Sequence, residues 1–301
     1  VPLPPFRFAA LGANVQASVL MTLSMATFAT NDMLTKFATH SIEPVQIMAV
    51  RGVMASALLF AFAKWRRSPL SFAVLREPAV LVRAVADICT TLCYLNALRQ
   101  LPLANTSAIF QALPLTITLG AFLFLGERVG WRRWTAISVG FIGVLVILAP
   151  GPEGFNAYGL WVLASVVFAA MRDLATRKMP PSLSSAQIAL VTSVAVMLTG
   201  FAWLPFAGWR PMSGSVWIVL TVASVTLASG YALIVAAVRT GDMSFVAPFR
   251  YTILLFSILL GIAAFDERPS LRETLGSLIV VASGLYTLHR ETRGRPARSA
   301  A

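Results

Sequence analysis

Charged side chains set inside long apolar runs are where this sequence could do chemistry. Arg51 and Arg250 each lie within a hydrophobic stretch. Arg83 and Asp87 stand four residues apart, as do Asp32 and Lys36, and Asp173 and Arg177. That spacing puts two side chains on one face of a helix, so each couple is expected to pair along its own helix. Polar stripes follow the same period. Ser24, Thr27 and Asn31 form one, and Ser165, Phe168 and Arg172 another, with Trp161 one turn earlier. Ser107, Gln111, Pro114 and Thr118 form a third, and Asp87, Thr91 and Tyr94 a fourth. Hydroxyls, an amide and aromatic rings facing one space could bind a small amphipathic solute. The plainer alternative is hydrogen bonding between packed helices. Charge within an apolar span usually faces a bundle interior, so Arg250 could hold a carboxylate, the alternative being an ion pair with Asp87 or Asp32. Arg51 reads as structural.

Other chemistries lack their residues. No G-x-x-x-x-G-K-[ST] run is present, and Lys36, Lys64 and Lys178 are the only lysines, which argues against ATP as a partner. His40 and His289 are the only histidines and lie at the ends of apolar runs, giving no support to a histidine-ligated metal or a Ser–His protease. Cys89 and Cys93 are one turn apart, poorly placed for a disulfide and too few for a metal site, and read as small apolar fillers. No metal, cofactor or enzymatic activity is expected.

The elements that must position these residues are membrane spans. Hydrophobic residues make up 57% of the 301 and charged residues 12%, with a mean hydropathy of +0.77. A soluble fold could not hide that much apolar surface. Ten apolar segments can be drawn, at 15–37, 44–63, 79–100, 104–125, 131–149, 158–177, 184–205, 215–238, 243–265 and 271–288. Each is long enough to cross about 30 Å at about 1.5 Å per residue. Continuous runs such as Ile137–Leu148 favour helices over alternating barrel strands. No basic stretch and cleavage site precede the first segment, so it is expected to be a retained span. The net charge of +12 fits the basic excess of cytoplasmic loops better than a nucleic-acid partner. With both termini inside, 17 of the 24 Lys and Arg residues fall on the cytoplasmic side.

The sequence also matches itself. At an offset of 140, Arg99, Glu127, Arg128 and Arg132 fall on Arg239, Glu267, Arg268 and Arg272. At 141, Ser24, Asp32, Thr35 and Lys36 fall on Ser165, Asp173, Thr176 and Arg177. Charged identities in register point to a duplication. Five spans per copy is odd, so the halves would cross the membrane in opposite directions, an arrangement many secondary transporters use for alternating access. Neither Arg250 nor Arg51 has a basic counterpart in the other half. Asp32–Lys36 and Asp173–Arg177 would lie at opposite membrane faces, as two gates or as helix-end salt bridges. Glu127 and Glu267 close their spans and read as helix caps. Pro114 and Pro248 allow kinks and hinge motion.

The stretch Ala104-Asn105-Thr106-Ser107, Pro114, Leu125-Gly126-Glu127-Arg128, Gly140 and Gly143 resembles the drug/metabolite transporter superfamily, EamA type. The second half repeats the pattern in Gly241-Asp242, Ala247-Pro248-Phe249-Arg250-Tyr251, Phe265-Asp266-Glu267-Arg268-Pro269, Gly276 and Gly284-Leu285-Tyr286. It departs from the usual Gly-Glu by carrying Asp266, and the fourth-span proline has no counterpart at Leu254. Arg51 resembles an arginine common in the family's second span. Among bacterial members the chain looks most like YddG-type amino-acid exporters. The resemblance implies a ten-helix carrier of small metabolites.

The expectation is therefore an all-α integral membrane protein, ten transmembrane helices in a 5+5 inverted repeat. A cytoplasmic N-terminal tail spans 1–14, the repeats 15–149 and 158–288, and a basic cytoplasmic tail 289–301. The protein is expected in a bacterial inner membrane, as a monomer, its partners being lipid and a small-molecule substrate. Substrate-binding candidates are Ser24, Thr27, Asn31, Tyr94, Ser107, Gln111, Trp161, Ser165, Phe168, Tyr231, Arg250 and Tyr251. Export of neutral or aromatic amino acids is the leading reading. Drugs, nucleosides and other metabolites are alternative substrates. A passive channel, a lipid scramblase and an embedded lipid enzyme are the readings from other classes.

Overall fold

The structure is a computed structural model and describes residues 12–65, 72–126, 130–148, 157–180, 183–241 and 243–293. Among these, every regular element is a helix: α1 (Ala13–Thr39), α2 (Pro44–Trp65), α3 (Pro78–Gln100), α4 (Leu103–Phe110), α5 (Leu113–Leu125), α6 (Trp131–Leu148), α7 (Tyr158–Arg177), α8 (Ser185–Ala207), α9 (Gly214–Thr240), α10 (Met243–Val246), α11 (Thr252–Phe265) and α12 (Leu271–Arg293). Short 3₁₀ turns run over Phe72–Arg76 and Ala247–Tyr251. Prolines set several boundaries. Pro102 pushes Leu101 into an extended conformation (φ −104°, ψ 152°), which stops α3, and α4 starts directly after it.

Among the described residues, seven stretches are long and apolar enough to cross a membrane: Pro44–Lys64, Pro78–Gln100, Leu103–Leu125, Tyr158–Arg177, Ala186–Ala207, Gly214–Thr240 and Pro248–Phe265. α6 offers a shorter apolar stretch, Trp134–Leu148. α1 is 27 residues long, but it buries Asn31, Thr35 and Lys36 within the bundle. Large apolar side chains such as Leu123, Phe124, Leu145, Phe206 and Ile218 remain more than half exposed, the surface a bilayer would cover.

The main packing partners are α1 with α9, α3 with α7, α2 with α8 and α6 with α12, followed by α1 with α11, α5 with α7 and α3 with α8; α4 also meets α11. α6 and α12 meet through glycines. A Cβ on Gly276 would lie 2.8 Å from the Gly143 carbonyl oxygen, so the two backbones touch where only hydrogen fits. Two serines join other helices. Ser24 Oγ donates to the Gly230 carbonyl at 2.7 Å, fastening α1 to α9, and Ser165 Oγ donates to the Thr90 carbonyl at 3.0 Å, fastening α7 to α3. Ser24 and Ser165 are 141 apart, and Thr90 and Gly230 are 140 apart. The two bonds thus join like residues at nearly the same offset in the sequence.

Candidate functional site

Two helices are broken at matching places. α4 ends at Phe110 and α5 begins at Leu113, with Gln111 and Ala112 in a turn between them. In the second half the 3₁₀ turn Ala247–Tyr251 interrupts the path from α10 to α11. Gln111 and Tyr251 are 140 apart. Pro114 lies in the first turn of α5 and Pro248 in the first turn of the 3₁₀ segment, positions where a missing N–H costs no helical bond. Interrupted apolar helices survive within a membrane where they line a cavity or are covered by protein.

Two groups of charged residues flank this level. In the first, Tyr94 donates its hydroxyl to Asp32 Oδ2 at 2.7 Å, and Asn31 donates an amide proton to Asp32 Oδ1 at 2.9 Å. Arg51 donates to Asn31 Oδ1 at 3.1 Å and to Thr35 Oγ1 at 3.0 Å. Arg51 therefore braces α1 against α2, the structural role its sequence position suggested. In the second group, Arg172 bridges two carboxylates, with Asp87 Oδ1 at 3.1 Å and Asp173 Oδ1 at 2.9 Å. Arg83 hydrogen-bonds Thr176 Oγ1, leaving its buried Nε without a partner.

Tyr231 stands between the groups. It is an electrostatic neighbour of Arg51 on one side and of Arg83, Asp87, Arg172 and Asp173 on the other. Its ring is 58% exposed and meets Phe28 edge-to-face at 5.2 Å. Tyr94 meets Phe110, at the helix break, in the same way at 5.3 Å. An exposed tyrosine ringed by charges is a place where a solute could reach polar groups and aromatic rings together. Arg250 is also exposed, and Asp173, Tyr231 and Tyr251 act on it electrostatically.

Lys36, about one turn beyond Asp32 on α1, anchors a further cluster. The Lys36 ammonium is buried, pairs with Glu267 and donates to the Leu101 carbonyl at 2.5 Å. Glu267 Oε2 accepts the Leu103 N–H at 2.7 Å, capping α4. The pair lines an open pocket of about 320 Å³ together with His40, Arg99, Gln100 and Phe265 among others.

Several sequence expectations need correcting. Lys36 does not pair with Asp32 along α1. The ammonium reaches α11 and the α3–α4 junction, while Asp32 is taken by Tyr94 and Asn31. Asp87 does not pair with Arg83, because Arg172 from α7 claims it. Ser24 and Ser165 are fully buried in helix joints and line no cavity. Ser107 is likewise buried, bonded to Ser257 at 2.7 Å. Tyr251 is buried with its hydroxyl against Gly284, so it packs rather than lines the space. Thr27, Gln111 and Phe168 are half-buried, Trp161 is 46% exposed, and Arg177 lies exposed at the end of α7. Glu127 falls outside the described residues. Phe28 and the bridging role of Arg172 went unnoticed in the sequence, although Arg172 lay one residue from Asp173.

Comparison with known proteins places this geometry. Residues 16–149 and 157–288 each match the EamA-like transporter family. The chain is 32% identical over 194 residues to a riboflavin transporter of Vibrio cholerae, a match spanning 64% of each chain. It is 23% identical over 273 residues to an S-adenosylmethionine uptake transporter of Rickettsia felis, covering 90% of this chain and 92% of that one. It is 26% identical over 282 residues to the pseudopaline exporter CntI of Pseudomonas aeruginosa, covering 92% and 96%. A solved crystal structure shares the fold at a TM-score of 0.60 and 18% identity, over 93% of this chain and 99% of that one.

Proposed function

This chain belongs to the EamA-like transporter family, whose named relatives here are transporters rather than enzymes, and on that premise we propose that it is a secondary carrier. It moves small amphipathic metabolites, neutral or aromatic amino acids first among them, by alternating access. The pair of helix breaks at 111–112 and 247–251 carries this reading. Phe110, before the first break, packs on Tyr94, and Arg250, on the second, is an electrostatic neighbour of Tyr231 and Asp173, so each break adjoins charged groups and aromatic rings. Transporter substrates sit at such midplane interruptions.

The same reading takes the chain as ten spans in two inverted halves, 15–149 and 158–288. Swapping the halves exchanges α1–α9 with α7–α3 and returns α2–α8, α4–α11 and α6–α12 to themselves. This exchange supports the inverted arrangement, and the Ser24 and Ser165 bonds fit it too. The tails 1–14 and 289–301 lie in the cytoplasm of a bacterial cell, with the protein in the inner membrane. Lys36 then belongs to the outer gate, and Asp173 and Arg177 to the inner one. Asp32, Tyr94, Tyr231 and Arg250 face the substrate, with Thr27, Gln111, Trp161 and Phe168 flanking them, while Asn31 is buried and braces Asp32 and Arg51 from behind.

A passive channel would be open at both ends. The buried Lys36–Glu267 lock closes one end instead, which favours a carrier. The test is counterflow in proteoliposomes. Preloaded unlabelled solute should accelerate saturable uptake of labelled solute, whereas linear, unsaturable flux would replace the carrier with a channel.

A further inference from the structure

We propose that Arg250 is the anion-binding residue of the central cavity, and that the carried solute is a carboxylate bearing a planar ring. The inference rests on the carrier reading and names its substrate class. Among the described residues, seven charged side chains surround the space. Arg51, Arg83, Arg172 and Arg250 stand against Asp32, Asp87 and Asp173, an excess of one positive charge. All three carboxylates are engaged: Asp32 by Tyr94 and Asn31, and Asp87 and Asp173 by Arg172. Arg51 is held by Asn31 and Thr35, and Arg83 by Thr176. Arg250 alone of the four arginines has no hydrogen-bond or ion-pair partner among the described residues, yet it is an exposed residue beside Tyr231 and Asp173.

A guanidinium inside a membrane protein is costly unless something pairs with it. Among the described residues, the three carboxylates nearby are already engaged. Arg250 also sits on the 3₁₀ turn rather than on a regular helix, at the interruption itself. Its planar fork suits the two oxygens of a carboxylate. Tyr231, an electrostatic neighbour of Arg250, offers an exposed ring held edge-on by Phe28. A solute with its carboxylate on Arg250 would lay an adjoining ring on that face.

The test removes groups from the ligand before touching the protein. Binding of L-phenylalanine, 3-phenylpropionate and phenethylamine to the purified wild-type protein is measured by calorimetry. The two carboxylates should bind and the amine should bind at least about 10-fold more weakly, the loss expected for one charge-assisted pair. In Arg250→Gln, melting at the wild-type temperature, the carboxylates should fall to the level of the amine. Phenethylamine binding as well as the acids, or acids binding equally to the variant, would overturn the proposal, as would failure of all three to bind. Counterflow of a wider solute panel in the same preparation separates the two ideas. Exchange of uncharged solutes only would leave a carrier without this anion site. Absence of exchange by every solute would remove the carrier itself.

Discussion

Lys36 on α1 and Glu267 beyond the end of α11 form a buried ion pair across 231 residues of sequence. The carboxylate also caps α4 through the Leu103 N–H, and the ammonium also holds the Leu101 carbonyl. One pair therefore fastens three elements where the sequence expected a bond within α1. Glu267→Gln leaves Lys36 buried without its counter-charge. It should lower stability by about 3 kcal/mol, the low end for stripping one partner from a buried pair. A cysteine at Thr39, placed in a background lacking Cys89 and Cys93, should then react faster with an impermeant maleimide from outside. Unchanged labelling would mean that the lock does not gate.

Arg172 neutralises two aspartates, so its loss and theirs are unequal. Arg172→Gln strands Asp87 and Asp173 together and should destabilise by about 3 kcal/mol. Asp173→Asn leaves the Asp87 pair standing and should cost under about 1 kcal/mol. Thermal unfolding of the purified variants checks the order, and the reverse order would show that Asp87 needs no counter-ion.

Ser24 and Ser165 belong to helix joints. Ser24→Ala and Ser165→Ala should each lower stability by about 1 kcal/mol, the usual worth of one hydrogen bond. Substrate affinity should stay within twofold. A marked fall in affinity at unchanged stability would return these serines to the cavity wall.

α5 and α11 each end in a left-handed residue, Gly126 at φ 66° and Asp266 at φ 52°, which are 140 apart. Aspartate tolerates that conformation less well than glycine. The Asp266 side chain is 84% exposed and its 3.6 Å contact with Arg268 lies in solvent, so little is lost with it. Asp266→Gly should raise stability by about 0.5–1 kcal/mol, read from the midpoint of thermal unfolding.

Pro114 lies just past the break between α4 and α5. In Pro114→Ala the helix can continue through Gln111 and Ala112, so turnover should fall several-fold while the half-saturating solute concentration changes little. Equal turnover would show that the break needs no proline and that hinge motion there is unimportant.

Composition and apolar run length settled the helical membrane character before any coordinates, because 57% hydrophobic residues leave few other folds open. The offsets of 140 and 141 likewise aligned Ser24 with Ser165 and Gly126 with Asp266, and the structure gave both couples matching geometry. Arg250 stood out because the offset of 140 sets it against Phe110 rather than a basic residue. Pairing was another matter. Spacing within one helix says which side chains share a face. It cannot say which foreign helix that face meets, so Asp32–Lys36 and Arg83–Asp87 were natural expectations and both gave way. Lys36 found Glu267, and Asp87 found Arg172, because burial makes each charge take the nearest opposite charge that packing supplies. The stripe of serines was ambiguous for the same reason: a hydroxyl at helical spacing serves a cavity or a neighbouring backbone equally well, and only the approach of α9 to α1 and of α3 to α7 decided it.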